Sequence, residues 1–458
     1  SDPSLLETRG YLAGNWVSGD KNRTFDVINP ARGDTVAQVA NLSREQISSA
    51  IDNAYEAQKE WAKNTGKERA AILRRWFDLM MENSEDLAKI LTAEQGKPLS
   101  ESKGEIAYGA SFIEFFAEEA KRVYGEIIPG HQKDKRIMVF KQPIGVAASI
   151  TPWNFPLHQI VGKVAPALAA GCTMILKPSK EAPLNAFILA DIIDECGLPA
   201  GVFNLVSGHG REIGEVISSH PEVDMVSFTG STSAGVSVSK AASETVKRVT
   251  LELGGKSANI ILDDADIAKA SKMAIYSCFN NSGQECSSLS RLLVPASHRD
   301  EIVKIIASTM ERYSVGDPMD ESIKCGPMVS ESQQKSVSEY ISLGISEGAT
   351  LVYGGEGLPD GINSGFFVKP TVFADVTADM SIFREEIFGP VLSISTYEDE
   401  DEAISMANDS EYGLSGGVWS GDEERAMRIA KSIRTGQVSI NGGAFNVSAP
   451  FGGYKLSG

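Results

Sequence analysis

The chain has 458 residues, too long for one compact core, so about three units or two larger ones are expected. A formal net charge of -18 excludes the clustered basic face that nucleic acid or an anionic membrane surface would select. With 42% hydrophobic and 23% charged residues, and no run of about 18 apolar residues, it reads as globular, with no membrane span.

The elements follow in chain order. The stretch 44–120 is helical, opening with an N-cap at Ser43, Gln46 three residues on, and apolar residues at Ile47, Ile51, Ala54 and Ala57. Residues 124–144 switch to short alternating runs ("EIIPG", "RIMVFKQPI") that suit edge strands. From 145 the pattern is strand, turn, helix, repeated: "GVAASIT", "GKVAPALAAG", "CTMILKP", "LNAFILADIIDECG", "GVFNLVSG", "GREIGEVISSH", "VDMVSFTG", "STSAGVSVSKAASE", "RVTLELGG". A second alternating block runs from "ANIILDD" at 258 to "GQVSING". Near-continuous apolar strands alternating with helices predict two parallel sheets, each covered on both faces. Ligands of such sheets lie at the C-terminal strand ends.

The five cysteines (Cys172, Cys196, Cys278, Cys286, Cys325) are odd in number and lack a Cys-x-x-Cys pair. The histidines His131, His158, His209, His220 and His298 are scattered. A reducing, cytoplasmic setting and no metal site are expected.

Several strand ends carry candidate chemistry. In "VDMVSFTGSTSAG" a strand closes on Thr229-Gly230 and Ser231 opens a helix, whose free amides suit a phosphate; a plain strand-to-helix turn is the alternative. "SGHGREIG" places Gly208, Gly210 and Gly214 in a similar setting. "MILKPSK" ends a strand with Lys177, Ser179 and Lys180, which offer charge-assisted donors to a ribose 2′-phosphate, or are simply solvated. In "TPWNFP" two prolines hold Asn154, whose amide is either an oxyanion donor or a partner of its own turn. "LELGGKS" buries Glu252, so its pKa should rise toward that of a general base; the alternative is an ion pair with Lys256. "GQECSS" sets Cys286 in a polar loop, either as an ordinary half-buried residue or as a nucleophile whose thiol pKa the backbone amides there could lower.

Taken together and in register, "TPWNFP", "KP", "FTGST", "ELGGK", "GQ-x-C", "EEIFGP" and "PFGGYKLSG" resemble the aldehyde dehydrogenase superfamily over nearly the whole chain. The separations of 34 residues from Glu252 to Cys286 and 132 from Asn154 to Cys286 agree with that family.

The resemblance implies an α/β fold of two doubly wound parallel-sheet domains. Residues 1–124 and 145–252 would form a Rossmann-like cofactor domain and 253–458 the catalytic domain. Residues 125–144 would form a small β oligomerisation arm, whose partner strand would follow Gly458.

The resemblance also implies roles. Cys286 would attack an aldehyde, and Asn154 would hold the oxyanion of the thiohemiacetal. Hydride would leave to a nicotinamide, and Glu252 would activate water against the thioester. Trp153, Lys177, Ser179, Lys180, Gly210, Gly230, Ser231, Glu386 and Phe388 would hold the cofactor. Lys180 stands where NAD-preferring members carry Glu, which favours NADP over NAD. His158 and Ser287 would face the substrate.

The stretch 66–130 resembles succinate-semialdehyde dehydrogenases, yet Gly162 and Ser288 stand where those enzymes carry an arginine and a second cysteine. Broad aliphatic or aromatic aldehyde oxidation, coenzyme-A-acylating oxidation and an inactive relative remain as alternatives. A homodimer or homotetramer is implied.

Overall fold

A computed structural model of the chain describes residues 6–444 and 446–458. Among these residues two seven-stranded sheets organise the fold. The first runs Arg248–Glu252, Met225–Thr229, Val146–Ile150, Thr173–Lys177, Phe203–Leu205, Gly10–Leu12, Asn15–Val17. Its first five strands are parallel, and the two N-terminal strands add an antiparallel edge, with Tyr11 opposite Leu205. The second sheet runs Thr350–Tyr353, Thr371–Ala374, Val391–Tyr397, Arg291–Pro295, Ala258–Ile261, Ser415–Trp419, Gln437–Ile440. Only Thr350–Tyr353 is antiparallel there, so the expected parallel sheets are mixed at their edges.

Alternation explains why both faces are covered. Along Val146–Ile150, Ala147 joins one apolar cluster with Met174, Leu176 and Phe203. Its neighbours Val146, Ala148 and Ile150 join a second with Ile175, Val226 and Phe228. In the second sheet Leu293 and Leu292 divide in the same way between two clusters. Side chains of a strand alternate in facing, so a strand apolar at every position needs a helical layer on each side.

Four helices, Arg44–Trp61, Gly66–Glu82, Ser84–Gln95 and Leu99–Glu119, occupy the predicted helical stretch. The first starts where the sequence indicates. Ser43 accepts from the Gln46 amide, and the Gln46 side chain returns a bond to the Ser43 N–H. Ile47, Ile51 and Ala54 are buried on its inner face.

Strands Glu126–Pro129 and Arg136–Val139 form an antiparallel hairpin in which all eight residues are exposed. Ile127 is 81% and the neighbouring Phe140 73% exposed. The C-terminal stretch returns to the first sheet. Tyr454–Lys455 pairs with Tyr412–Gly413, and the buried Ser457 Oγ donates to the Gly254 carbonyl at 2.7 Å. Among the described residues no helix is long and apolar enough to cross a membrane.

Candidate active site

The loop that carries Cys286 begins where the helix Ile267–Phe279 ends. Asn281, Ser282 and Gly283 take left-handed backbone at φ 52°, 55° and 72°. Such a run is costly for side chains other than glycine. It is held by burial and by bonds: Asn281 Nδ2 donates to the carbonyls of Gln284 (3.0 Å) and Asn154 (2.8 Å). A Cβ at Gly283 would lie 2.2 Å from the Gly389 carbonyl oxygen, so the turn admits only glycine there. The Gly254-Gly255 turn packs beneath the thiol residue, since a Cβ on Gly255 would sit 2.3 Å from the Cys286 carbonyl oxygen.

Cys286 is half-buried. The expected acidification of its thiol does not occur. Burial pushes the pKa up, and the carboxylates of Glu285, Glu386 and Glu252 push it further. The Ser287 amide works in the opposite direction. A thiolate is disfavoured where it must leave water and face three anions.

Glu252 ends the strand Arg248–Glu252 and is half-buried, with Oε2 buried and without a partner. Burial raises its pKa, as the sequence indicates, while Lys163 works in the opposite direction. The alternative pairing with Lys256 is absent: the Lys256 amine is buried without a hydrogen-bond partner and pushed down to about 7 by burial. Asn154 does not bond within its own turn. Its Nδ2 donates to the Gln284 carbonyl at 3.1 Å, two residues before Cys286. The turn after Ile150 and the cysteine loop therefore meet directly.

Lys163, on the helix Pro156–Ala170, escaped the sequence reading. It senses both Glu252 and Cys286 electrostatically, and burial pulls its pKa down to about 8.

The cofactor candidates cluster at strand ends and at the neighbouring loop. Lys177 is buried, donates to the Pro178 carbonyl at 2.9 Å, and is pulled down to about 8 by burial. A Cβ on Gly210 would come 3.9 Å from its Nζ, so the glycine of the adjoining helix start lies beside it. Ser231 caps the helix Thr232–Ser243 through the Ala234 amide at 3.4 Å. Gly230 serves packing against its own strand, where a Cβ would meet the Phe228 ring at 2.7 Å. Glu386 accepts from the Gly255 amide at 2.9 Å and is pushed up to about 7 by burial. Trp153 and Phe388 meet edge to face at 5.3 Å, with Phe388 in left-handed backbone.

The expected trio of free donors at 177–180 is altered by its neighbour. Glu181 accepts the Ser179 hydroxyl and lies 3.7 Å from the Lys180 amine. A carboxylate is thus present at the strand end, one residue later than expected.

Of the substrate candidates, His158 stacks near Tyr108 (4.5 Å) and Phe112 (5.0 Å). Burial pushes its pKa down to about 3, so the ring is neutral. Ser287 donates to Glu285 at 2.6 Å. Arg291 is committed elsewhere: its guanidinium donates to the carbonyls of Lys256, Met406 and Ala407 at 2.8–2.9 Å. Asp52, His220 and Glu222 approach one another apart from these residues, a grouping that depends on segments about 170 residues apart and has no local motif.

The profile described as Aldehyde dehydrogenase family matches residues 16–458. The chain is 44% identical to the succinate-semialdehyde dehydrogenase, NADP(+), GabD of Escherichia coli (strain K12), over 100% of this chain and 95% of that one. It is 43% identical to the glutarate-semialdehyde dehydrogenase of Pseudomonas putida, over 100% and 94%. The crystal structure of an aldehyde dehydrogenase C mutant from Pseudomonas syringae, complexed with NAD+ and octanal, superposes with a TM-score of 0.96 at 42% identity, over 100% and 93%. Likeness of this extent covers both sheets, the loops between them and the strand ends where the cysteine, carboxylate and amide converge. The chain belongs to the aldehyde dehydrogenase family, and its reaction is the NAD(P)-dependent oxidation of an aldehyde to a carboxylic acid.

Proposed function

We propose that the chain oxidises a small aliphatic semialdehyde of the succinic and glutaric class through a thioester on Cys286. The observation that carries the chemistry is the meeting of three elements: Asn154 bonded to the cysteine loop, Gly255 packed under Cys286, and Glu252 close enough to perturb the thiol. The semialdehyde class rests on the relatives at 43–44% identity.

Cys286 Sγ, its proton given up to water, adds as thiolate to the aldehyde carbon, and the Asn154 amide and the Cys286 N–H stabilise the oxyanion that forms. Glu252 takes a proton from water for attack on the thioester, releasing the acid and the thiol. Lys163 lies where it tunes the charge on Glu252.

A nicotinamide cofactor supplies the hydride acceptor. The strand ends fit such a group: Lys177 is a buried amine whose partner is a carbonyl, with the Gly210 helix start beside it, and Ser231 opens a helix after the strand Met225–Thr229 of the same sheet. Glu386 would hold the nicotinamide ribose, with Trp153 and Phe388 beside the ring. Ser179 and Lys180 favour a 2′-phosphate, and Glu181 moderates them, so both NADP and NAD are accepted with NADP preferred. Residues 1–124 and 145–252 serve as the cofactor domain and 253–458 as the catalytic domain, with residues 1–5 and Phe445 outside the described residues.

An uncharged aliphatic aldehyde is the second reading. It is favoured by the three carboxylates around Cys286 and by the commitment of Arg291 to backbone carbonyls. A steady-state panel decides. Succinic and glutaric semialdehydes are compared with uncharged aldehydes of equal length, each with NAD and NADP. Higher kcat/KM for the semialdehydes supports the proposal; higher values for the uncharged set replace it with the second reading.

The exposed apolar hairpin Glu126–Val139 supports a homo-oligomer, because an isolated hairpin with Ile127 and Met138 in water needs a covering partner. Sedimentation of Ile127→Lys tests this: a shift to monomer is expected, and an unchanged assembly refutes it. All five cysteines are free, which suits the cytoplasm.

A further inference from the structure

One buried charged pair lies between the two halves of the site and has no part in the chemistry above. Lys97 is 0% and Glu105 4% exposed, with Nζ 2.5 Å from the carboxylate. Isolated ions are rarely taken so far from water, and a pair survives only when the remaining donors and acceptors are also used. Here they are. Lys97 Nζ also donates to the Asn154 carbonyl at 2.8 Å and sits 3.9 Å from the centre of the Phe155 ring. The other Glu105 oxygen accepts from the Leu157 and His158 amides at 3.0 and 3.1 Å, at the start of the helix Pro156–Ala170. The pair therefore grips the turn on both sides of Asn154.

The same segment reaches the cysteine loop. Gln95 Nε2 donates to Asn281 Oδ1 at 3.2 Å, and Gln95 Oε1 accepts from the Lys97 amide at 2.8 Å. Asn281 Nδ2 shares the Asn154 carbonyl with Lys97 and bonds the Gln284 carbonyl, which the Asn154 amide also uses. Two loops 130 residues apart are thus tied through one carbonyl and one short segment. Gly96 between them has φ 91°, and a Cβ there would meet Pro30 and Pro327 at 2.7 and 2.8 Å.

We propose that Lys97, clamped by Glu105, is a positioning residue for Asn154: it fixes the backbone from which the amide reaches the oxyanion beside Cys286. The inference rests on the proposed role of Asn154. A displacement below 1 Å at such a donor is costly, because oxyanion stabilisation depends on pre-set geometry.

The test is a double-mutant cycle read on two reactions: aldehyde oxidation and cofactor-free hydrolysis of 4-nitrophenyl acetate. In the latter, Cys286 Sγ bonds to the acetyl carbon and the bond to oxygen breaks, releasing 4-nitrophenolate. Water then cleaves the thioester to acetate and thiol. Lys97→Met should lower kcat about 10–100-fold with KM within about threefold, up to but not beyond the roughly 10²–10³-fold loss seen when an oxyanion donor itself is removed. In an Asn154→Ala background the same change should cost less than about threefold, since residues acting as one unit are not additive. Thermal melting of each variant accompanies the kinetics. Should Lys97→Met alone fail to fold, the neutral pair Lys97→Met/Glu105→Gln carries the same cycle. Full loss persisting in the Asn154→Ala background, or wild-type rates in a folded Lys97 variant, overturns the proposal. Ester hydrolysis indifferent to both Cys286→Ala and Asn154→Ala overturns the underlying reading instead.

Discussion

Replacing Glu252 by glutamine should separate the two halves of the reaction. The amide keeps the shape of the carboxylate, and Oε2 is buried with no partner to lose, so the fold should be unaffected. Addition of Cys286 to the aldehyde does not use Glu252. It should even be helped slightly, because the Glu252 charge is one of three that push the thiol pKa up. Hydrolysis of the thioester loses its base, worth about 10²–10⁴ in rate, or about 3–5 kcal/mol of barrier. Rapid mixing of Glu252→Gln with aldehyde and NAD(P) should therefore give a burst of reduced cofactor near one per site, followed by turnover slowed 10²–10⁴-fold. The wild-type hydrolysis rate should fall as pH drops through the Glu252 pKa. Burial lifts that pKa above the ordinary 4.5, so the limb lies above 4.5 and should vanish in the variant. Loss of the burst together with turnover would refute Glu252 as the hydrolytic base.

Three further outcomes follow from particular residues. The Cys286 thiol is raised first by burial and next by Glu285, so its alkylation by iodoacetamide in the free enzyme should still be climbing at pH 9.0, the ordinary thiol value. A plateau below that would contradict the electrostatics. Glu181→Gln should strengthen NADP binding relative to NAD by calorimetry, because it frees Ser179 and Lys180 from a carboxylate; an unchanged ratio would remove Glu181 from the ribose site. Arg291→Met strands two buried carbonyls and one part-buried one and should cost about 3–5 kcal/mol in urea unfolding. A loss below about 1 kcal/mol would show that water replaces the guanidinium.

Strand and helix order was legible because it is written locally. The Ser43–Gln46 box and the apolar runs at 146–150 and 173–177 each act within a few residues. The catalytic candidates were legible through motif spacing, not through geometry. What the sequence hid depends on contacts between distant segments. Lys97 meets Asn154 across 57 residues, and Lys163 matters only because its helix passes Glu252 and Cys286. Glu181 adjoins Lys180 and was in plain view. Its effect depends on a rotamer that turns the carboxylate toward Ser179. The thiol pKa was misjudged for a related reason. Local amides are visible in "GQECSS", but burial and the remote carboxylates of Glu252 and Glu386 outweigh them. The antiparallel strands at the sheet edges come from 10–17 and 350–353, where short segments carry too little periodicity to fix a direction.

The central claim is a covalent acyl intermediate on one of five free cysteines. Acid-quenched Glu252→Gln, mixed with aldehyde and NAD(P), can be digested and its cysteine peptides weighed. The account predicts one acyl group, on the peptide bearing Cys286, that appears only when aldehyde and cofactor are both present. An acyl group on another cysteine, or none while acid still forms, would contradict it.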